Sequence, residues 1–180
     1  MADELREQGI AKGVRLWEWG IDLERFTPAK RSLAFRRAHG VADDECLILF
    51  VGRLRWEKGL ALMADVFSRL ESRKIRHRTM IVGAGAGEAS LRKRLPNTIF
   101  TGHLEGETLT AAYASADLFF FPSAVETFGC VTLEAMASGL PCLCANAPGS
   151  RTLALDGEAA LVSVAVAFDL PDGVGGIALA

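Results

Sequence analysis

The chain has 180 residues, half of them hydrophobic, which allows one domain with a substantial core, or one domain and a fragment of another. A formal net charge of −2 argues against a nucleic-acid-binding protein, because such proteins carry a strongly basic surface. No apolar run reaches the roughly 20 residues of a membrane span, and residues 1–6 lack the apolar segment of a secretion signal. We therefore expect a cytoplasmic protein.

Predicted strands and helices alternate along most of the chain. Its start predicts a helix over 1–10 and a short strand over 14–17, followed by a connector over 20–28. Further strands are predicted at 46–51, 79–82, 98–101, 117–121, 141–145 and 159–162, and further helices at 59–73, 88–95, 107–115 and 133–137, with a helical turn at 149–155. Continuous apolar strands alternating with helices predict an α/β fold, a parallel sheet with helices on both faces.

The cysteines do not indicate a metal site. Cys46, Cys130, Cys142 and Cys144 lack the C-x-x-C spacing of zinc ligands. Cys142 and Cys144 share one face of a predicted strand, and we expect both to be small buried hydrophobic residues.

Two glutamates, Glu126 and Glu134, flank a glycine-containing stretch that links the strand at 117–121 to a helix. The start of a helix has free N–H groups and the positive end of its dipole, which favour a phosphate or a sugar hydroxyl. A continuous helix would separate the two carboxylates by about 12 Å, roughly the reach from a ribose past a diphosphate to a sugar. The alternative is a pair of surface glutamates on an ordinary helix.

A basic loop follows the strand at 46–51. Gly52 permits a tight exit, Arg53 can hold a diphosphate bidentately, and Lys58 can act as a mobile point charge. Ligands of parallel sheets lie beyond the carboxyl ends of the strands, where this loop is predicted. The alternative is a solvated basic loop.

Two further strand ends carry weaker signals. Residues 83–87 resemble a dinucleotide fingerprint, but Glu88 stands where its last glycine belongs, so a tight turn is the better interpretation and a nicotinamide-dependent oxidoreductase the alternative. His103 follows the end of another strand, yet no catalytic triad can be built from the histidines present.

The basic segment 73–78 predicts a solvated face or a contact with anionic lipid head groups.

Several motifs occur together in a fixed order. They are Gly52-Arg53-Leu54, Glu57-Lys58-Gly59, Ile81-Val82-Gly83-Ala84-Gly85, Phe100-Thr101-Gly102, Tyr113-Ala114-Ser115-Ala116-Asp117, Phe121-Pro122-Ser123, Glu126-Thr127-Phe128-Gly129 and 133–141. Their combination strongly resembles glycosyltransferase family 4, retaining nucleotide-sugar enzymes built from two Rossmann-like domains, the GT-B fold. The resemblance implies a single GT-B half-domain here.

The resemblance also implies roles for individual residues. Arg53 and Lys58 would bind the donor diphosphate and stabilise charge on the leaving phosphate. Glu134 would accept hydrogen bonds from the ribose hydroxyls, and Glu126 would hold the hydroxyls of the donor sugar. The remaining implied donor-binding positions are Gly52, His103, Leu104, Phe128, Gly129, Cys130 and Val131. In this family the departing phosphate can take the proton of the incoming hydroxyl, so no protein base, metal or cofactor is implied.

Departures from the family pattern define the expected domain organisation. Residues 1–19 resemble only the last helix and strand of an N-terminal acceptor domain. Residues 20–163 resemble the nucleotide-sugar-binding domain, and we expect an irregular tail over 164–180. Ser150 replaces the usual second glycine. We expect the donor-binding half of a mannosyl- or sulfoquinovosyl-type hexosyltransferase that uses a UDP- or GDP-hexose, with a lipid or glycan acceptor and a peripheral membrane contact. The alternative is a catalytically inactive nucleotide-binding fragment or partner subunit.

Overall fold

The computed structural model describes residues 20–126 and 129–145, together with Glu7 and Gly9. The strands in residues 20–145 are β1 (Cys46–Val51), β2 (His77–Val82), β3 (Ile99–Gly102), β4 (Leu118–Phe121) and β5 (Cys142–Cys144). The α-helices there are α1 (Leu33–Ala38), α2 (Leu60–Ser72), α3 (Glu88–Arg94), α4 (Gly106–Ser115) and α5 (Cys130–Ala137). Two short 3₁₀ helices span Pro28–Lys30 and Trp56–Lys58.

The strands form one parallel sheet in the order β3-β2-β1-β4-β5. Leu49 in β1 pairs with Met80 in β2 and with Phe119 in β4, so the ends of these strands lie at similar levels. The order reverses between β1 and β4, and right-handed crossovers place the helices before and after the reversal on opposite faces. The helix contacts agree with this arrangement of two faces, because α2 contacts α3 whereas α4 contacts α1 and α5. The expected Rossmann-like sheet is confirmed.

Side chains of β4 fill the core on both faces of the sheet. Phe120 packs against Phe67 of α2, with ring centroids 5.9 Å apart. On the other face Phe119 stacks on Phe121, which in turn stacks on Phe50 of β1. A strand buried on both faces needs a continuous apolar run, which explains the triple phenylalanine.

A buried arginine connects α1 to the neighbouring strands β1 and β4. Arg36 is fully buried, and its Nη1 donates to the Ser115 carbonyl at 2.8 Å and to Asp117 Oδ2 at 2.9 Å. The same carboxylate accepts hydrogen bonds from Arg31 Nη2 at 2.7 Å and from the Leu47 amide at 2.8 Å. Burial would raise the pKa of Asp117, but these three donors hold it below its ordinary value. The carboxylate therefore joins α1 to the starts of β1 and β4.

The structure corrects several predicted boundaries. The connector is followed by helix α1, which sequence analysis missed although Ser32 Oγ caps it by accepting from the Phe35 amide at 3.1 Å. Strand β2 begins at His77, two residues earlier than predicted. Helix α5 begins at Cys130, because Gly129 at φ 66° marks its start. The stretch between Glu126 and Glu134 is therefore not one continuous helix.

The cysteine prediction can be compared directly. Cys142 and Cys144 are both buried and face the core from β5, as expected. Burial and, to a smaller extent, the nearby Cys144 raise the pKa of the Cys142 thiol to about 12.

Several predicted elements lie outside the described residues. They are the elements at 149–155 and 159–162, the tail at 164–180, and the elements at 1–10 and 14–17 apart from Glu7 and Gly9.

Candidate functional site

A cavity of about 450 Å³ opens at the carboxyl ends of the strands, beside the reversal of strand order between β1 and β4. Open α/β sheets bind their ligands at this position. Its lining comes from the ends of β1, β2 and β4, from the segments that follow β1, β2, β3 and β4, and from helices α4 and α5. The lining residues are Val51, Gly52, Arg53, Lys58, Val82, Gly83, Ala84, His103, Leu104, Leu109, Phe121, Glu126, Cys130, Val131 and Glu134.

Glycines allow the strand exits to converge on this cavity. Gly83 has φ 130°, and a Cβ there would lie 2.0 Å from the carbonyl oxygen of Gly52. Gly59 has φ 74°, and a Cβ there would lie 2.2 Å from the carbonyl oxygen of Pro122. Main chain therefore touches main chain at both places, which only glycine permits without displacement. These contacts bring the loops after β1, β2 and β4 to a common rim.

Two of the predicted catalytic residues are bonded to each other. Lys58 Nζ lies 3.0 Å from Glu126 Oε2 and 3.0 Å from the Val125 carbonyl oxygen. The two side chains retain only 15% and 18% of their exposure, so this ion pair is screened less than a surface pair. The ammonium also lies 6.0 Å from the centre of the Phe121 ring. Lys58 is thus fixed at the cavity wall with its charge balanced.

Helix α5 presents the second carboxylate. Glu134 is its fifth residue, about one turn from the start, and Oε2 accepts a 2.8 Å hydrogen bond from the Tyr113 hydroxyl of α4. Burial raises the pKa of Glu134, and the Tyr113 bond and the charge of Arg25 partly oppose that rise. The carboxylate is consequently half-buried at the cavity wall with one oxygen anchored.

The remaining predicted residues are placed as follows. The exposed side chain of Arg53 reaches the cavity from the loop after β1, and it forms no hydrogen bond or ion pair with the described part of the chain. His103 lies at the rim after β3, where its Nε2 is 2.9 Å from Glu105 Oε1. The lining also includes Gly52, Leu104, Cys130 and Val131. Gly129 caps α5 and does not belong to the lining, and Phe128 lies outside the described residues.

The glycine-rich segment after β2 forms a tight turn. The Gly87 amide donates to the Leu54 carbonyl at 2.9 Å, and a Cβ on Gly85 would lie 2.5 Å from the same oxygen. Gly85 is therefore required by packing against the loop after β1, and a Cβ on Gly87 would lie 2.8 Å from Cδ1 of the buried Leu60, so packing favours glycine there too. This packing accounts for the glycines without a pyrophosphate, in agreement with the tight-turn interpretation.

Sequence analysis gave no role to Tyr113, which is fully buried beneath the cavity and bonded to Glu134. A signal was available, because a buried tyrosine hydroxyl usually requires a hydrogen-bond partner. Sequence alone could not identify that partner, since it depends on how α4 packs against α5. Leu109 of α4 also lines the cavity and was not predicted.

The site combines two cations, two carboxylates and the start of a helix around one concave surface. Such a surface can hold an anion at its basic edge and hydroxyl groups at its carboxylates. In residues 20–126 and 129–145 no group of three or more His, Cys, Asp or Glu side chains is placed to hold a metal ion. None of the helices described is long and apolar enough to cross a membrane. The fold and site define an α/β protein with a ligand cavity at the topological switch point.

Comparison with known proteins identifies the family. A family model described as "Glycosyl transferases group 1" matches residues 32–168, and the chain belongs to that family. A GDP-mannose-dependent alpha-mannosyltransferase of Corynebacterium glutamicum is 39% identical over 166 residues, covering 92% of this chain and 39% of the relative. Sulfoquinovosyl transferase SQD2 of Arabidopsis thaliana is 40% identical over 142 residues, covering 77% of this chain and 27% of the relative. The chain thus spans less than half the length of these relatives.

Solved structures agree on the fold. The crystal structure of Anabaena HepE in complex with UDP matches with a TM-score of 0.68 at 24% identity, over 83% of this chain and 43% of that chain. At this identity the likeness concerns the fold alone. The expected Rossmann-like fold of a single GT-B half-domain and the family resemblance are confirmed, and membership of a glycosyltransferase family leaves the oxidoreductase alternative without support.

Proposed function

We propose that this chain forms the donor-binding part of a retaining hexosyltransferase, which transfers a hexose from a nucleotide-diphosphate sugar to an acceptor hydroxyl. One observation carries the proposal: Arg53, Lys58, Glu126 and Glu134 line a single cavity at the sheet's switch point in a chain of the glycosyltransferase group 1 family. GDP-mannose is the first donor to test, because a relative covering 92% of the chain is named for it. UDP-hexoses are the second.

The family resemblance implies a role for each charged residue, and these roles form part of the proposal. Arg53, whose guanidinium is exposed beside the cavity, would grip the diphosphate together with Lys58. Glu134, one turn inside α5, would accept hydrogen bonds from the ribose. Glu126 would hold the sugar hydroxyls, helped by the main-chain N–H groups of residues 128–131. His103 and Leu104 at the rim after β3 would lie beside the base.

The proposed reaction needs no base from the described residues. The bond between the anomeric carbon and the phosphate oxygen breaks, and the acceptor oxygen bonds to that carbon on the same face. The acceptor proton moves to the departing phosphate, and the nucleoside diphosphate leaves. Arg53 and Lys58 stabilise the negative charge that develops on that phosphate, which is an electrostatic form of catalysis.

Isothermal titration with GDP, UDP and GDP-mannose tests the binding roles. A charge-assisted hydrogen bond is worth about 1.5–3 kcal/mol, so Lys58→Ala and Glu134→Ala should each weaken nucleotide binding by roughly 10- to 100-fold. Lys93→Ala, in the last turn of α3 and exposed, is the matched control and should bind like the wild type. Wild-type affinity in both cavity variants would refute the assignment.

The ion pair between Lys58 and Glu126 allows a sharper test. Glu126→Gln removes the competitor for the lysine charge, so GDP or UDP alone should bind at least as tightly as to the wild type. Binding of the sugar part and transfer should both fall, because the proposed sugar ligand is lost. Equal loss of affinity for the free nucleotide and the nucleotide sugar would contradict the division of roles.

A transfer assay separates this proposal from the narrower alternative of a protein that binds nucleotide without transferring sugar. Radiolabelled GDP-mannose or UDP-glucose is incubated with the chain and membrane-lipid or glycan acceptors. Labelled product that disappears in Lys58→Ala supports the transferase. Tight nucleotide binding with no product from any donor would favour the binding-only function.

A further inference from the structure

Tyr113 is the single tyrosine of the chain, and it is fully buried on α4. The Phe26 ring meets it edge-on at 5.7 Å between centroids, and Phe119 lies 6.0 Å away. Within this apolar setting its hydroxyl donates to Glu134 Oε2 at 2.8 Å. A core tyrosine is thus bonded to a carboxylate of the cavity wall, although Tyr113 itself does not line the cavity.

Tyr113 is the donor of this hydrogen bond and Glu134 is the acceptor. Burial, and then the Glu134 charge, raises the pKa of Tyr113 well above its ordinary value, so the phenol remains protonated and donates. Other ionisable groups facing the pair are Arg25 and Cys130 beside Glu134, and Cys130 and Cys142 beside Tyr113. Arg25 is exposed, and burial raises the pKa of both thiols, so Tyr113 is the buried group that bonds to the carboxylate.

Among the described residues, one carboxylate oxygen of Glu134 has a hydrogen-bond partner and the other has none. Glu134 Oε1 accepts no hydrogen bond from residues 20–126 or 129–145, whereas Oε2 is held by Tyr113. A glutamate side chain that is free to change rotamer must lose that freedom when it binds a ligand. The Tyr113 bond restricts the carboxylate before any ligand arrives, which lowers the entropic cost of binding.

We propose that Tyr113 is a positioning residue, which anchors Glu134 Oε2 so that Oε1 is presented to the ribose hydroxyls of the bound nucleotide. This inference rests on the proposed function, in which Glu134 is the ribose acceptor. It predicts that loss of a buried hydroxyl outside the cavity weakens recognition of the ribose selectively.

Binding of UDP, GDP and their 2′-deoxy counterparts to the full 180-residue chain tests the inference. The wild type should prefer ribonucleotide over 2′-deoxynucleotide by about 10-fold, the effect of one hydrogen bond. Tyr113→Phe should weaken ribonucleotide binding by roughly 3- to 10-fold and reduce that preference to about 2-fold. Thr98→Val is the matched control, because it removes a hydroxyl from the buried 2.6 Å bond with Thr79 and should leave the preference unchanged.

Glu134→Ala, which removes both carboxylate oxygens, distinguishes the two levels of the argument. If it keeps the wild-type preference for ribonucleotides, Glu134 is not the ribose acceptor, and both the role and the anchor are refuted. If Glu134→Ala abolishes the preference while Tyr113→Phe retains it, the anchor alone is refuted. Loss of the preference in both variants, with Thr98→Val unaffected, supports the inference.

A measurement on the wild type does not depend on the folding of any variant. Because the chain has one tyrosine, labelling with [13Cζ]tyrosine gives a single resonance that reports the hydrogen bond of the phenol. A ribose hydroxyl that donates to Glu134 weakens the carboxylate as an acceptor for Tyr113. The resonance should therefore move further with the ribonucleotide than with its 2′-deoxy counterpart at saturation, and equal shifts would overturn the inference.

Discussion

Replacing Asp117 by asparagine tests the contact that joins α1 to strands β1 and β4. The substitution keeps one oxygen acceptor but removes the charge opposite Arg36, whose guanidinium is fully buried. Removing one partner of a buried ion pair costs about 3–5 kcal/mol. The Asp117 side chain is 30% exposed, so solvent screens part of the interaction and we expect the low end, about 3 kcal/mol.

Thermal unfolding followed by circular dichroism measures this loss. For a chain of this size each kcal/mol shifts Tm by about 2–4 °C, so Asp117→Asn should lower Tm by roughly 6–12 °C. Asp44→Asn is the matched control, because Asp44 also bonds an arginine bidentately, at 2.7 and 2.8 Å, but both side chains are two-thirds exposed. An exposed pair contributes little, so this control should melt close to the wild type.

The stabilisation by Asp117 should depend on pH in a direction set by its pKa shift. Because the folded pKa of Asp117 lies below its ordinary value, its stabilisation is fully present above the unfolded pKa of about 3.9. It is lost as the pH falls through the lower folded pKa. The Tm difference between wild type and Asp117→Asn should therefore be constant near neutrality and shrink in strong acid. Equal Tm losses in Asp117→Asn and Asp44→Asn at pH 7 would refute the reasoning.

Three further predictions concern the site and the surface. Gly83→Ala should destabilise the fold by at least about 1–3 kcal/mol and reduce nucleotide binding, whereas Gly20→Ala, with nothing within 4 Å of its Cβ, should do neither in the same melts and titrations. Burial raises the pKa of Glu134, so its carboxylate should become protonated at a pH above the ordinary carboxyl pKa of 4.5. As the pH is lowered, ribonucleotide affinity should therefore begin to fall above pH 4.5, and 2′-deoxynucleotide affinity should fall less. Parallel affinity–pH curves for the two ligands would contradict this. If the basic segment 73–78 contacts lipid, the chain should sediment with phosphatidylserine vesicles at low salt and release above about 0.5 M, and a Lys74→Glu variant that binds equally would exclude it.

The sheet could be predicted because its signal is local. Strands β1 and β4 are short apolar runs, such as Leu118–Phe121, bounded by polar or glycine-containing turns, and burial on both faces follows from that composition. The site could be located for the same reason. Arg53 and Glu126 follow strands that turned out to be neighbours in the sheet, and parallel strand ends meet at one edge.

What the sequence did not reveal depends on long-range packing. Lys58 and Glu126 are 68 positions apart, and their bond exists because the loops after β1 and β4 converge. Tyr113 reaches Glu134 only because α4 packs against α5. Helix α1 was missed for a different reason, since its 6 residues are too few for a periodic pattern to stand out.

The close main-chain contacts of Gly59 and Gly83 divide the site into an invariable and an adaptable portion. Where carbonyl oxygens already touch the glycine backbone, a larger residue cannot enter without displacing main chain, so mutation has little scope to reshape the part of the cavity beside Gly59 and Gly83. His103, Leu104 and Val131 also line the cavity, and their side chains are exposed or only partly buried, so other side chains can replace them more easily. Divergence in the nucleotide accepted should therefore accumulate at these three positions, and directed evolution of donor choice would do well to begin there.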